Sequence, residues 1–339
     1  MIFFFIALHF FCLCRQNGLA QRMYLCRDMQ YSWQGMLTGH AGPIYTLAFR
    51  KDDQRLYSGS SDGIVAAWDL SIMQAASFSI KVGEPVLALS FHGSNMLIGQ
   101  MAGGIHVIDL EERRELKHLK NHVKGVFDLC TLPERGLHAV AGGDGVLSVI
   151  DAFDFSCKLL LPLSEHKLRK TFFDTRFDRL LVGSSDGFIY VLEPEYFNEL
   201  SRFEAHSGGV YDILPFGKSG VITGGRDAHL RFWNYDLHSS QFTEVKSIPA
   251  HNYAIYSIAS GGEDQVFATA SRDKLVKIWN PKDWKSPQRL GRSGLQGHSH
   301  SVNKVLFESA TGRLFSAGDD RSIQVWAPLN PAASPPAHS

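Results

Sequence analysis

Ser58-Gly59-Ser60-Ser61-Asp62-Gly63-Ile64-Val65-Ala66-Ala67-Trp68-Asp69, with His40 upstream, is the stretch on which the fold turns. Its polar and aromatic residues recur as His206/Thr223/Asp227/Trp233, His251/Thr269/Asp273/Trp279 and His298/Ser316/Asp320/Trp326. In every set a His stands 21 or 22 residues before an Asp, a Ser or Thr four before that Asp, and a Trp six after it. Offsets held that closely announce a repeat, and the period of a repeat sets the architecture before any local reading does.

Asp62 and Asp227 are 165 residues apart, which leaves room for three further units of about 41. Ala102-Gly103, Asp144-Gly145 and Asp186-Gly187 fill the missing turn slots, and His122 and His166 lie 22 and 20 residues before their turns. In these units the Trp slot holds Ile108, Ile150 and Leu192, and the hydroxyl slot holds Ile98, Val140 and Val182. Indole and hydroxyl vanish together. A buried hydroxyl without a partner costs about 1–3 kcal/mol, so paired loss is what an internal hydrogen-bond network predicts. The expected chain runs from Trp N–H to Ser or Thr, to His, to Asp.

Within a unit, the β-rich runs 44–49, 55–59, 64–68 and 75–80 are separated by turn residues, and Asp62-Gly63 is a strong hairpin signal. Four short antiparallel strands in about 40 residues make one propeller blade. Gly39-His40, Gly297-His298, the turn Asps, Trp68-Asp69 and the variants Trp233-Asn234 and Trp279-Asn280 resemble the WD-repeat family over residues 31–327. The resemblance implies an all-β fold, a seven-bladed β-propeller in which the quartets are structural. Residues 103–109 and 226–231 look most like stand-alone bacterial WD-repeat proteins without an assigned activity. Ala327-Pro328 cannot continue as a central strand, so Tyr31–Thr38 is expected to supply the outer strand of blade 7 and close the ring.

The expected organisation is a signal-like or mis-started extension at 1–28, a propeller at 29–327 and a disordered Pro-rich tail at 328–339. Residues 2–14 are apolar apart from His9 but too few to span a bilayer, which needs about 20. Gly18-Leu19-Ala20 would suit signal cleavage before Gln21, although no Lys or Arg precedes the apolar run; a start at Met29 is the rival reading. Cleavage would leave Cys26, Cys130 and Cys157, an odd number that leans to the cytoplasm, with a periplasmic or secreted protein as the alternative. With 34 basic and 34 acidic residues, nothing favours nucleic acid or an anionic membrane as partner. Lys167, Arg169, Lys170, Arg176 and Arg179 read as a solvated blade surface, with a docking patch for an acidic partner as the alternative.

Gly59-Ser60-Ser61-Asp62-Gly63 and Gly183-Ser184-Ser185-Asp186-Gly187 match the pattern of a nucleophile elbow, but at hairpin turns of two blades, where no strand enters a helix. The repeat-phase His residues sit in separate units with their own partners, so no metal and no cofactor is expected. In the family, the residue after the first apolar residue of each inner strand lies near the rim of the central channel. Here that residue is Tyr45, Leu87, Phe127, Tyr211, Tyr256 or Asn303, with blade 4 ambiguous near Phe172. Arg226 and Arg272 precede turn Asps on the same rim. Tyr and Arg combine apolar area with a polar handle, which suits them to anchor partners. The reading is a non-enzymatic scaffold, a monomeric propeller within a complex, that takes a protein or peptide segment of acidic character. An exported binding propeller is the alternative. A hydrolase or lyase at the channel mouth would have to draw on Asp128, Asp212 and His229.

Overall fold

The computed structural model describes residues 30–262, 266–291 and 296–329. The expected leader and all but the first two residues of the expected tail lie outside them. Seven four-stranded antiparallel sheets form a ring. Blade 1 consists of strands a (Ile44–Arg50), b (Arg55–Ser60), c (Ile64–Asp69) and d (Gln74–Lys81), from the channel outward. Blades 2 to 6 repeat this order over 86–119, 126–162, 168–204, 210–249 and 255–290. Blade 7 takes strands a to c from 302–328, and Tyr31–Thr38 pairs antiparallel with Ser322–Pro328 as its strand d. The ring therefore closes on a strand from the other end of the chain, and no sheet edge is left at the joint.

Each joint between blades is filled by its own apolar cluster. Tyr57, Val65 and Ala67 of blade 1 meet Val86, Met96 and Ile98 of blade 2. Leu37, Phe315 and Val325 of blade 7 meet Ile44, Leu56 and Trp68 of blade 1. Blades approach so closely that a Cβ on Gly59 would stand 2.4 Å from Val86 Cγ1. The residue after the hydroxyl slot is accordingly Gly or Ala in every blade, from Gly59 and Gly99 to Ala270 and Ala317.

The four quartets form continuous hydrogen-bond chains. In blade 1, Trp68 Nε1 donates to Ser58 Oγ (2.8 Å), which lies 2.7 Å from His40 Nε2, and His40 Nδ1 lies 2.9 Å from Asp62 Oδ2. A carboxylate only accepts, so Nδ1 carries the ring proton and Nε2 accepts from the hydroxyl. In blade 5, Trp233 Nε1 donates to Thr223 Oγ1 over 2.9 Å, Thr223 donates to His206 over 2.8 Å, and His206 donates to Asp227 over 2.8 Å. In blade 6, Trp279, Thr269, His251 and Asp273 are joined in the same order over 2.9, 2.7 and 2.9 Å. In blade 7, Trp326, Ser316, His298 and Asp320 are joined over 3.0, 2.9 and 3.0 Å. Each Asp also accepts backbone N–H groups from both segments it joins, as Asp62 does from Ala41 and Ile64. The residue after the turn position, Asp in six blades and Ala102 in blade 2, is left-handed, a conformation suited to Gly63, Gly103, Gly145 and Gly187. Blades 5 to 7 hold Ala228, Lys274 and Arg321 there, at φ of 64°, 73° and 65°.

The weaker blades depart from the simple expectation of joint loss. In blade 3 the hydroxyl has moved rather than disappeared: Ser148, paired across the sheet with Val140, lies 2.9 Å from His122 Nε2, and His122 Nδ1 lies 3.1 Å from Asp144. In blade 4, His166 is exposed and takes no part; Ser164 Oγ donates to Asp186 over 3.3 Å in its place. The sequence offset of His166 was two residues short, which carries it past the pocket.

Two outcomes follow from these networks. Asp227→Ala orphans the buried His206 and should cost about 3 kcal/mol of stability, read as an earlier urea midpoint, while Arg226→Ala next to it stays within about 0.5 kcal/mol. Equal midpoints would refute a structural role for the quartet. Acid is the second probe. Burial alone would raise the Asp320 carboxyl, but the hydrogen bond from His298 and the N–H of Ser299 hold it down at about 2. Burial pushes the His251 imidazole below its usual 6.5. In both cases the unfolded chain binds more protons than the folded one, so stability is full above 6.5, declines below it, and falls again from 3.8 towards about 2. Melting temperatures between about pH 8 and pH 3 should drop monotonically; a rise on acidification would contradict the assignment.

Candidate functional site at the channel mouth

All seven innermost strands slip register at the same place, between the first apolar residue and the residue two further on. A bulge of this kind re-aims the extra side chain. The bulged residues are Tyr45, Leu87, Phe127, Arg169, Tyr211, Tyr256 and Asn303, and all seven line one cavity of about 470 Å³. The aromatic rings are held in place: Tyr211 and Tyr256 meet edge to face at 5.5 Å. Asn303 Nδ2 donates to Ile44 O (2.9 Å) and to Asp319 Oδ1 (2.8 Å), which ties blade 7 to blade 1.

None of the quartet residues lines this cavity. Thr223 and Thr269 are wholly buried inside their sheets, and each hydroxyl is taken up by a His on one side and an indole N–H on the other. Ser58 and Ser316 are placed in the same way. These four hydroxyls therefore serve the frame and offer nothing to a partner.

Blade 4 corrects the sequence reading. Phe172 packs into the apolar cluster shared by blades 4 and 5, and the bulged residue is Arg169. Its guanidinium lies 4.2 Å from the Phe127 ring centroid and 5.6 Å from that of Tyr211. Among the described residues no carboxylate pairs with it, and its Nε is buried without a hydrogen-bond partner. Burial pulls its pKa down from the ordinary Arg value, a sign that the charge is poorly solvated there. The basic cluster is thus not one solvated surface. Lys167 and Arg176 are exposed, whereas Arg169, Lys170 and Arg179 are partly buried; Arg176 pairs with Asp174 over 2.6 Å, and Arg179 donates to Tyr235 Oη over 3.0 Å.

One residue further along the inner strands lies a charged layer. Lys170 Nζ is 3.0 Å from Asp128 and 3.4 Å from Asp212. Asp128 also accepts from Thr171 N in blade 4, and Asp212 from Ile258 N in blade 6. Burial would lower the Lys170 ammonium, but the two carboxylates raise it well above its usual value. Burial likewise opposes ionisation of Asp212, and Lys170 with Lys304 overcomes it. This ladder joins blades 3, 4, 5 and 6 where two of the four lack the full quartet.

Arg226 and Arg272 are both exposed and stand outside the cavity lining, at positions equivalent to Met101 and Asp319, which do line it. The Arg272 guanidinium lies 5.9 Å from the Tyr253 ring centroid. His229 donates to Asp227 O from Nδ1 over 2.8 Å and is not in the cavity. Asp128, Asp212 and His229 therefore do not converge. The residue that sequence reasoning missed was Arg169, although counting 18 back from Asp186, as Ile44 lies 18 before Asp62, reaches Leu168 and hence its neighbour.

Comparison with known proteins places this geometry. The family described as WD domain, G-beta repeat matches at residues 32–69, 197–234, 242–280 and 289–327, the segments centred on blades 7/1, 4/5, 5/6 and 6/7. Telomerase protein component 1 of Mus musculus is 26% identical over 276 residues, which is 78% of this chain and 10% of that protein. WD repeat-containing protein 55 of Homo sapiens is 24% identical over 261 residues, covering 76% of this chain and 67% of that protein. Nuclear distribution protein nudF of Aspergillus flavus is 27% identical over 110 residues, 32% of this chain and 22% of that protein. The chain spans about a tenth of the length of the mouse telomerase protein. With its matched repeats, its quartets and a ring of seven four-stranded blades, this chain belongs to the WD-repeat family of β-propellers.

Proposed function

We propose that the protein is a non-enzymatic scaffold that holds a protein or peptide segment at the channel mouth, with an acidic side chain or terminal carboxylate of the partner on Arg169. The observation that carries this reading is the guanidinium itself: charged, poorly solvated, flanked by Phe127 and Tyr211, and unpaired among the described residues. An incoming carboxylate supplies the charge-assisted bonds that Arg169 lacks, and the aromatic rings supply apolar area beside it. Arg226 and Arg272 extend the positive rim, while Tyr45, Tyr256 and Asn303 complete the wall. The mouse relative is by name a component of telomerase, and membership of an assembly is the setting in which such a surface works.

The carboxylates that a hydrolase or lyase would need are held by Lys170 and by backbone amides, so no observation favours that reading. Among the described residues Cys130 and Cys157 form no disulfide, which suits a cytoplasmic protein. Among the described residues no helix is long and apolar enough to cross a membrane.

The test is an array of acidic and charge-neutralised peptides probed with the purified protein. Wild type should select acidic members. Arg169→Gln should lose most of that selection, and Arg226→Ala with Arg272→Ala should weaken it and reduce its salt dependence, since rim charges act mainly by steering. The double variant should keep the wild-type melting temperature. Undiminished selection by Arg169→Gln would overturn the proposal.

A further inference from the structure

We infer that blade 2 carries a divalent-metal site made by His106, Glu115 and His118, with Zn²⁺ as the ion its ligands suit best. Blade 2 is the blade that has lost His, Asp, hydroxyl and Trp from the quartet; Ile98 stands in the hydroxyl slot, and its partner across the sheet is His106. His106 in turn pairs across to His118 on the outer strand, and their rings stack at 4.1 Å with 14° between planes.

Glu115 joins them because of a bulge. Val107 pairs with Lys117, but Ile108 pairs with Glu115, so Leu116 is passed over. Side chains alternate faces along a strand, and without the skipped residue Glu115 would point to the opposite face. With it, Glu115 Oε1 lies 2.6 Å from His106 Nδ1. One ligand atom from each of the three residues falls within 4.8 Å of the others.

The chemistry fits a borderline cation. Two imidazole nitrogens and one carboxylate oxygen are a common zinc set, and three protein ligands leave a position for water or a partner's side chain. Ligand atoms about 2.0–2.2 Å from one tetrahedral zinc stand about 3.4 Å from one another. His106 Nδ1 and Glu115 Oε1, now 2.6 Å apart, must therefore open to admit the ion, and any wider separation within the 4.8 Å group must close. His118 and Glu115 are exposed and free to shift, whereas His106 is buried, and its Nε2 has no hydrogen-bond partner. The exposed pair also provides the path of entry. A bound ion would tie strand c of blade 2 to strand d, in the blade where no quartet ties its strands.

The experiment uses the full chain, free of any polyhistidine tag and stripped with a chelator. Titration calorimetry with ZnCl₂ should show one equivalent bound, and the melting temperature should rise with Zn²⁺, since an ion bound to the folded state alone stabilises it. His118→Ala and Glu115→Ala remove exposed side chains and should melt as wild type does without metal. Both should lose the uptake and the Zn²⁺-dependent shift. Absence of uptake by wild type would overturn the site, as would undiminished uptake by His118→Ala, which would move the zinc to cysteines elsewhere in the chain.

Discussion

Each turn Asp is the point at which three pieces of chain meet. In the four quartets its carboxylate takes the ring proton of a buried His, an N–H beside that His, and an N–H of its own hairpin, as Asp62 does. The turn so held is the one that flanks the channel mouth. Where the full quartet is present the turn tolerates Ala228, Lys274 or Arg321 in a left-handed conformation that costs most residues about 1 kcal/mol. Blades 2, 3 and 4 lack the full quartet, and all three keep Gly in that place. Blade 1 has both the quartet and Gly63, so the quartet does not exclude glycine; in blades 5 to 7 it accompanies side chains held in the left-handed turn.

The fold was legible because its signals repeat. Seven turns at near-even spacing, with apolar residues at fixed offsets, overrode any single ambiguous segment, and the closing strand followed from Pro328 ending blade 7. The mouth of the channel was legible to the same degree in six blades and failed in the fourth. Lys167-Leu168-Arg169-Lys170 reads as a solvated run, because one Leu among three cations carries no visible period. Only the bulge, which is a property of strand pairing and not of composition, separates Arg169 in the cavity from Lys170 in the charged layer. His166 failed for the converse reason: it had the right residue type near the right offset, and Ser164 took the place.

The position across the sheet from the hydroxyl slot was not legible at all, and it gives each blade its character. It holds Ala66, His106, Ser148, Tyr190, Arg231, Lys277 and Gln324. In blades 5 and 6, for instance, Thr223 faces Arg231 and Thr269 faces Lys277. Ser148 restores a lost hydroxyl, Arg231 reaches Asp227, Lys277 donates to Ala250 O, and Gln324 accepts from Trp33 on the closing strand. No period marks these residues because each answers to a different neighbour. The repeat fixes the frame, and this one column is where the blades were free to diverge.

Closure by Tyr31–Thr38 has a kinetic consequence. Trp33 pairs with Trp326, so the joint links segments almost the whole length of the chain apart. Blades 1 to 6 are each built from consecutive hairpins, which form quickly from local contacts. Blade 7 alone must wait until its inner strands have left the ribosome, and during that interval Tyr31–Thr38 has no strand to pair with. An unpaired strand is an invitation to wrong partners. The final latch of the ring is therefore the slow and vulnerable step of its synthesis, and in crowded conditions another copy of the same strand is its most immediate competitor.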